Sequence, residues 1–446
     1  FLFDPADPAT LSKGSPRGVP RQLCATAHES LRRLLLPENE DDEDTRVANA
    51  FLALATVAAR VPFEQFWAQP GTWDLLQACY ARYFERTAFN EYFWNVRFLL
   101  EPVWRLLRIE SQLPSAPLYH SVSTGYAGLL GALAVRQRTE SRFLLSEHGI
   151  YVRERIADLL RSEWARSGPL PAAGADGIPP LRRLWIDFFV EIGQFSYHSA
   201  ARIVSLFQRN AVIQTEFGAP SDRQMVIPNG VDVARFQSIR EARREKRAAS
   251  PNRQIVGFFG RVVAIKDVKT LLRAARATLD KLPGARFLIV GPIDEDAAYY
   301  EECVRLTGEL GMDDYVKFTG PAAADQALPE FDLMVLSSAS EGLPFAVLEA
   351  FASGMPVVCT DVGSCSELIH GRDGESPALG AAGAVVPAGN PGALAKAIVS
   401  ILSDRALQDR LGAAGLARTE RYYDEQTVIG QYRDLYRSLI GQPVPV

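Results

Sequence analysis

Cysteine is scarce in this 446-residue chain. The five present, Cys24, Cys79, Cys303, Cys359 and Cys365, are odd in number and scattered. They make neither a disulfide framework nor a zinc pattern, which favours a reducing compartment and hence a cytoplasmic location. Basic charge is not in excess either. Lys and Arg number 48 against 53 Asp and Glu, a net charge of −5, which gives no footprint for a nucleic-acid partner. No apolar run reaches the roughly 20 residues that span a bilayer, and no signal peptide opens the chain. No G-x-G-x-x-G follows an expected strand, which disfavours a dehydrogenase. Metal-ligand spacing is also missing: the acidic run at 38–44 reads as a solvated loop or helix start, and Asp294-Glu295-Asp296 as a solvated turn. The first residues, Phe1-Leu2-Phe3-Asp4-Pro5, read as the end of a strand cut in mid-element, so further residues are expected before them.

What is present is a globular composition, 47% hydrophobic and 23% charged, on a chain too long for one ordinary core. Two domains are expected, at 1–237 and 238–421, with 422–446 crossing back to the first. Residues 45–110 have helical periodicity throughout and an aromatic-heavy core that includes Phe51, Phe63, Phe66, Trp67, Trp73, Tyr83, Tyr92, Trp94, Phe98 and Trp104. They read as a helical insertion that also offers a surface to a partner. From 118 the rhythm turns α/β. Strands are expected at 118–122, 142–146 and 202–206, an extended piece at 224–228, and helices at 124–136, 153–163 and 180–200. The Gly-, Pro- and Ala-rich stretch 167–180 suits a lid. Residues 238–253, charged, helical and then broken by proline, read as the interdomain linker. Strands at 254–259, 286–290, 316–318, 331–336 and 356–359 alternate with helices, which implies a parallel sheet covered on both faces.

The most informative stretch is Ser340-Glu341-Gly342-Leu343-Pro344-Phe345-Ala346-Val347-Leu348-Glu349. It follows the apolar run 331–336, so it lies at a strand's carboxyl end, where open α/β sheets bind ligands. Pro344 suits the first position of a helix that ends by Gly354. The free N–H groups and positive dipole end of that helix suit a phosphate. Glu341 and Glu349, with seven residues between them, bracket the site as acceptors for hydroxyls. A surface helix with solvated acids has the same pattern. After the strand at 254–259, Gly260 permits a tight turn, and Arg261 and Lys266 place two cations on one loop. That is the charge a diphosphate leaving group requires, although ordinary surface cations read the same way. In the first half, His148 stands past a strand end beside Gly149, placed to donate to a sugar hydroxyl or phosphate or to serve as a hydrogen-bonded structural histidine. His120 is read as structural.

Gly260-Arg261 with Lys266, the Glu341 and Glu349 pair, Pro228-Asn229-Gly230-Val231-Asp232 and Asp361-Val362-Gly363 together resemble the retaining GT-B glycosyltransferases of family GT4. The first half, through residues 120–128, Glu147-His148-Gly149-Ile150-Tyr151 and Tyr197-His198-Ser199-Ala200, is similar to the PelF group of Pel exopolysaccharide synthesis. The resemblance implies an α/β fold of GT-B type, two Rossmann-like domains facing a cleft, with the helical insertion in the first. It implies a UDP-sugar held mainly by the second domain and a polysaccharide acceptor. Arg261 and Lys266 would hold the diphosphate, beside Gly260. Glu341 would face donor-sugar hydroxyls and Glu349 the ribose. Gly320 would lie at the base, and the backbone at Gly342, Leu343 and Pro344 would face phosphate and sugar. His148 would lie against the donor sugar. No protein nucleophile, metal or other cofactor is implied. An inner-membrane polysaccharide synthase complex is an implied partner, giving a peripheral location. The family's opening strand and glycine-rich loop do not occur in this sequence. The alternatives are a non-catalytic nucleotide-sugar-binding subunit and, less favoured, a nucleotide-sugar epimerase.

Overall fold

The computed structural model describes residues 21–36, 43–161 and 177–441, in two compact units. Among the described residues, the first unit comprises those up to Ser205, Ala211–Met225 and those from Tyr436 to Gly441. The second comprises Leu206–Asn210 and Val226–Leu435. The opening five residues, residues 38–42 of the acidic run and most of the expected lid lie outside the described residues.

The first unit is built on a four-stranded sheet in the order β1-β2-β3-β4: Leu118–Ser121, Arg142–Glu147, Arg202–Ser205 and Gln224–Val226. The pairs β1–β2 and β2–β3 are parallel. Helices Gly125–Gln137, Tyr151–Arg161 and Pro180–Ser199 connect the strands. After the helix Arg21–Leu35, the expected helical block is present as Glu43–Ala58, Phe63–Trp67, Pro70–Cys79 and Phe89–Glu110, with a π-helical turn at Tyr80–Phe84. Its apolar side chains join those of the sheet in one continuous core, so the block is part of the unit's interior. Phe66 stacks on Trp104 with centroids 4.4 Å apart, and the Trp104 indole donates to the Val61 carbonyl at 3.0 Å. Such a pair adds about 1 kcal/mol to what burial alone contributes.

Not every aromatic expected in that core lies in it. Trp73, Tyr83, Trp94 and Phe98 are exposed. On the helix Phe89–Glu110 the buried stripe runs through Tyr92, Leu99, Val103 and Leu106, spaced by seven, four and three, and Trp94 and Phe98 fall off it.

The second unit has a six-stranded sheet in the order β10-β9-β8-β5-β6-β7, every pair parallel. The strands are β5 Ile255–Phe259, β6 Arg286–Val290, β7 Val316–Gly320, β8 Leu333–Leu336, β9 Val357–Thr360 and β10 Gly383–Val386. Each residue of β8 and β9 is buried, as the near-continuous apolar runs imply. β10 was not expected: Gly383-Ala384-Val385-Val386 is short and begins on small residues. The charged, helical stretch expected to be an interdomain linker forms the helix Gln237–Ala249 and belongs to this unit, burying Ile239, Arg243 and Arg247. Its buried Arg243 donates to the carbonyls of Phe331 at 3.0 Å, Gly354 at 2.7 Å and Asp332 at 3.1 Å. Among the described residues, no helix is long and apolar enough to cross a membrane.

Candidate active site

The strand order of the second unit brings the expected residues together. The chain winds outward from β5 through β6 to β7, then returns to β8 on the other side of β5. The loops leaving β5 and β8 therefore diverge around a topological switch point, the place where such sheets bind ligands. The first loop carries Gly260, Arg261 and Lys266, and the second carries Glu341. Backbone and hydroxyl bonds tie them. Ala339 N–H donates to the Ile265 carbonyl at 2.8 Å, and the Ser337 hydroxyl to the Lys266 carbonyl at 2.9 Å.

Lys266 Nζ lies 2.5 Å from Glu341 Oε1, with side-chain exposures of 18% and 11%. The Ser338 hydroxyl donates to the same Oε1 at 2.5 Å. Charge-assisted bonds in a partly dehydrated site are about twice as strong as neutral ones, so this carboxylate is firmly placed. Lys266 closes a short 3-10 turn, Ala264–Lys266. Asp267, in the left-handed region at φ 44°, then caps the next helix by accepting from Thr270 N–H.

Arg261 is on the same loop but makes a different contact. Its guanidinium pairs with Glu295 Oε2 at 2.7 Å, both side chains being exposed. The expected solvated turn 294–296 is thus a partner to the loop: Glu295 meets Arg261, and Asp296 caps the helix Ala297–Glu309. Gly260 and Gly320 join this edge through Gly291. Gly260 N–H donates to Val290, and Gly291 N–H donates to Gly320 at 2.9 Å. A Cβ on Gly291, which has φ 148°, would fall 1.9 Å from the Gly260 carbonyl oxygen.

The helix after Glu341 runs Phe345–Ala352, with Pro344 as its N-cap rather than its first residue, and Gly354 follows it with φ 65°. Leu343 is buried, and its carbonyl accepts from Asn229 Nδ2 at 3.3 Å. Gly342 is held by the turn that follows β9. Ser364 donates to the Gly342 carbonyl through its N–H at 3.0 Å and its hydroxyl at 3.1 Å. Gly363 makes that approach possible. Its φ is 55°, and a Cβ there would sit 2.3 Å from the carbonyl oxygens of both Glu341 and Gly342. Glu349 is half-buried on the helix, and burial pushes its carboxyl above the usual range, only partly offset by Arg235.

In the first unit, His148 follows β2 and is exposed. Both ring nitrogens of His120 are engaged, Nε2 with Ser146 at 2.8 Å and Nδ1 with the Tyr436 hydroxyl at 2.8 Å. Burial, and then His148, lower its pKa. Glu147 was given no role from the sequence. It is 1% exposed and accepts from Thr124 at 2.8 Å, Tyr197 at 2.6 Å and Gln214 at 2.9 Å. Sequence reasoning also missed Ser338 and Ser364; it quoted Asn229 only within a motif and read Glu295 as part of a solvated turn. Among the described residues, no group of three or more His, Cys, Asp or Glu is arranged to hold a metal ion.

Residues 253–404 match the family described as Glycosyl transferases group 1, and residues 6–222 match a domain of unknown function, DUF3492. The D-inositol 3-phosphate glycosyltransferase of Nocardia farcinica is 32% identical over 221 residues, 48% of this chain and 47% of that protein. The lipopolysaccharide core biosynthesis mannosyltransferase LpsB of Rhizobium meliloti is 29% identical over 222 residues, 48% of this chain and 61% of that one. The chain spans about half the length of the curated relatives it matches first. Among solved structures, Anabaena HepE in complex with UDP has a TM-score of 0.57 at 20% identity, covering 76% of this chain and 83% of that one. Sucrose-phosphate synthase of Thermosynechococcus elongatus has 0.55 at 20% identity, covering 85% and 80%. The fold is of GT-B type, with two Rossmann-like domains, and residues 253–404 are similar to the group 1 glycosyltransferases.

Proposed function

We propose that this chain is a retaining glycosyltransferase that moves a sugar from a UDP-sugar to a growing exopolysaccharide of Pel type. The observation that carries the reading is the pairing of Lys266 with Glu341 at the switch point, beside the start of the helix Phe345–Ala352. The HepE neighbour was solved with UDP and with UDP-glucose, which supports a uridine donor. In this scheme the donor diphosphate takes over Lys266 and Arg261, with the backbone at Gly342, Leu343 and Pro344 turned to phosphate and sugar. As the bond to the sugar breaks, negative charge gathers on the leaving diphosphate. Cations fixed beforehand stabilise that charge without reorganising. Glu341 accepts from the donor sugar's hydroxyls and Glu349 from the ribose, while Gly260 and Gly320 leave room for phosphate and base. His148 of the first unit serves the donor sugar. No protein nucleophile is assigned and no metal is needed to neutralise the diphosphate. An inner-membrane synthase complex would receive the polymer, placing the protein at the cytoplasmic face.

The test is donor hydrolysis or polymer formation by the protein, compared with Glu341→Ala and Lys266→Ala. Loss of at least tenfold in turnover is expected from each, on the scale of one lost electrostatic contact to a transition state. Unchanged turnover in both removes the assigned site. Tight UDP binding with no turnover under any donor would favour a non-catalytic sugar-nucleotide-binding subunit.

A further inference from the structure

We infer that Ser338 is a positioning residue which fixes the Glu341 carboxylate so that one oxygen is reserved for the sugar of the bound donor. The inference deepens the donor reading above and rests on it. Ser337 and Ser338 are consecutive, both fully buried, at the carboxyl end of β8. The Ser337 hydroxyl holds the backbone of Lys266, and the Ser338 hydroxyl holds the side chain of Glu341. Two adjacent hydroxyls thus place both halves of the ion pair. Ser338 is itself anchored, its carbonyl accepting from the buried Thr360 hydroxyl at 2.6 Å.

The pattern of bonds at Glu341 is lopsided. Oε1 takes both the Ser338 hydroxyl and the Lys266 ammonium, while Oε2 makes no hydrogen bond among the described residues. A carboxylate has about four acceptor sites, so half its capacity remains. Lys266 is the group expected to turn toward the diphosphate. When it does, Ser338 becomes the fixed anchor that keeps the carboxylate from rotating. An oxygen held in this way suits a vicinal diol of a hexose, which donates two hydroxyls to one acceptor group. Recognition of UDP itself does not use it.

That distinction supplies the test. Binding of UDP and of UDP-glucose, UDP-galactose and UDP-N-acetylglucosamine is measured by calorimetry on the full chain and on Ser338→Ala. The variant is expected to lose about tenfold in affinity for the tightest of the three sugar nucleotides, the scale of one hydrogen bond to a charged group. Its UDP affinity should change less than about twofold. In a Glu341→Gln background, Ser338→Ala should have no further effect, since residues acting through one group are not additive. If Ser338→Ala does not fold, Ser338→Cys keeps the side chain with a weaker donor, and the same split is expected. Parallel loss of UDP and sugar-nucleotide affinity, no loss of either, or full additivity with Glu341→Gln each overturns the inference and leaves the donor reading standing. A wild-type chain that binds neither UDP nor any of the three removes both.

Discussion

Glu147 and Glu341 stand at comparable places, at or just past the carboxyl end of an interior parallel strand, one in each unit. Their surroundings differ in one respect that decides what each can do. Glu147 is sealed, with Oε1 taking Thr124 and Oε2 taking Tyr197 and Gln214, whose own Oε1 accepts from Ser205 at 2.5 Å. Every donor around it is buried and its acceptor capacity is largely used. Glu341 is tied through one oxygen only. A carboxylate at a strand end is therefore structural or ligand-facing according to how many of its lone pairs the protein itself consumes. Both lie toward the carboxyl end of their sheets.

The largest effect expected from this contrast is on stability. Glu147→Ala leaves two hydroxyls and an amide buried without an acceptor, each costing about 1–3 kcal/mol, so the first unit should lose at least ~3 kcal/mol. Glu341→Ala should cost less, because Lys266 at 18% exposure can turn to water. Denaturation followed by a probe in each unit separately checks this, since a two-unit chain need not unfold in one step. If Glu341→Ala proves as damaging as Glu147→Ala, the contrast is wrong.

Next in size is Gly363→Ala. The new Cβ would meet two backbone carbonyls at 2.3 Å, and the residue would sit at φ 55°, a conformation that costs an L-residue about 1–2 kcal/mol. Relief requires the Glu341-Gly342 segment to move. The variant should lose roughly 2 kcal/mol of stability in the second unit and at least tenfold in donor affinity together. Lost stability with intact donor affinity would show that the loop's geometry does not set binding.

How much of this could be read without coordinates follows the same division. The β8 loop, Lys266 and Glu341 were legible because the alternation of apolar runs with helices fixes which loops leave which end of a sheet. Their meeting follows from strand order. The hydroxyls of Ser337 and Ser338 were not legible, because a serine's partner depends on loop geometry that no periodicity encodes. The burial of Arg243 was not legible for a related reason. A charged helix looks solvated, and three backbone carbonyls accepting one guanidinium leave no mark in the sequence. Trp94 and Phe98 were misplaced by reading hydrophobicity without separating the faces of one helix. β10 was missed because small residues carry little strand signal.

Glu349 tests the contrast through pH. It is desolvated like Glu147 but lacks that residue's set of donors, and its folded-state pKa is raised from the ordinary 4.5 by burial, with Arg235 only partly offsetting. The folded chain then holds this proton more tightly than the unfolded chain does. Stability falls as pH rises from 4.5 to the raised folded value, and the deficit stays constant above it. Glu349→Gln should leave stability unchanged below that window and raise it relative to wild type above. Melting temperatures of the two proteins across pH 3 to 8 check the sign, and parallel curves would sink it.

The smallest effect belongs to Glu295, the exposed partner of Arg261. An exposed ion pair contributes about 0.2–1 kcal/mol, so Glu295→Gln should scarcely alter stability. It should nonetheless act on binding, because the guanidinium that the donor diphosphate needs is engaged by a carboxylate at 2.7 Å in the free protein. Removing that competitor should tighten UDP binding by about twofold at low salt, the scale of the pair it abolishes. The gain should shrink as ionic strength rises, since salt screens both the internal pair and the incoming phosphate. Lys266 gives no such gain when its partner is changed, because Glu341 serves the donor sugar as well as the cation. Weaker UDP binding in Glu295→Gln would mean that Glu295 holds Arg261 in its working orientation instead of competing for it, and the two cations would then be prepared for the diphosphate in the same way.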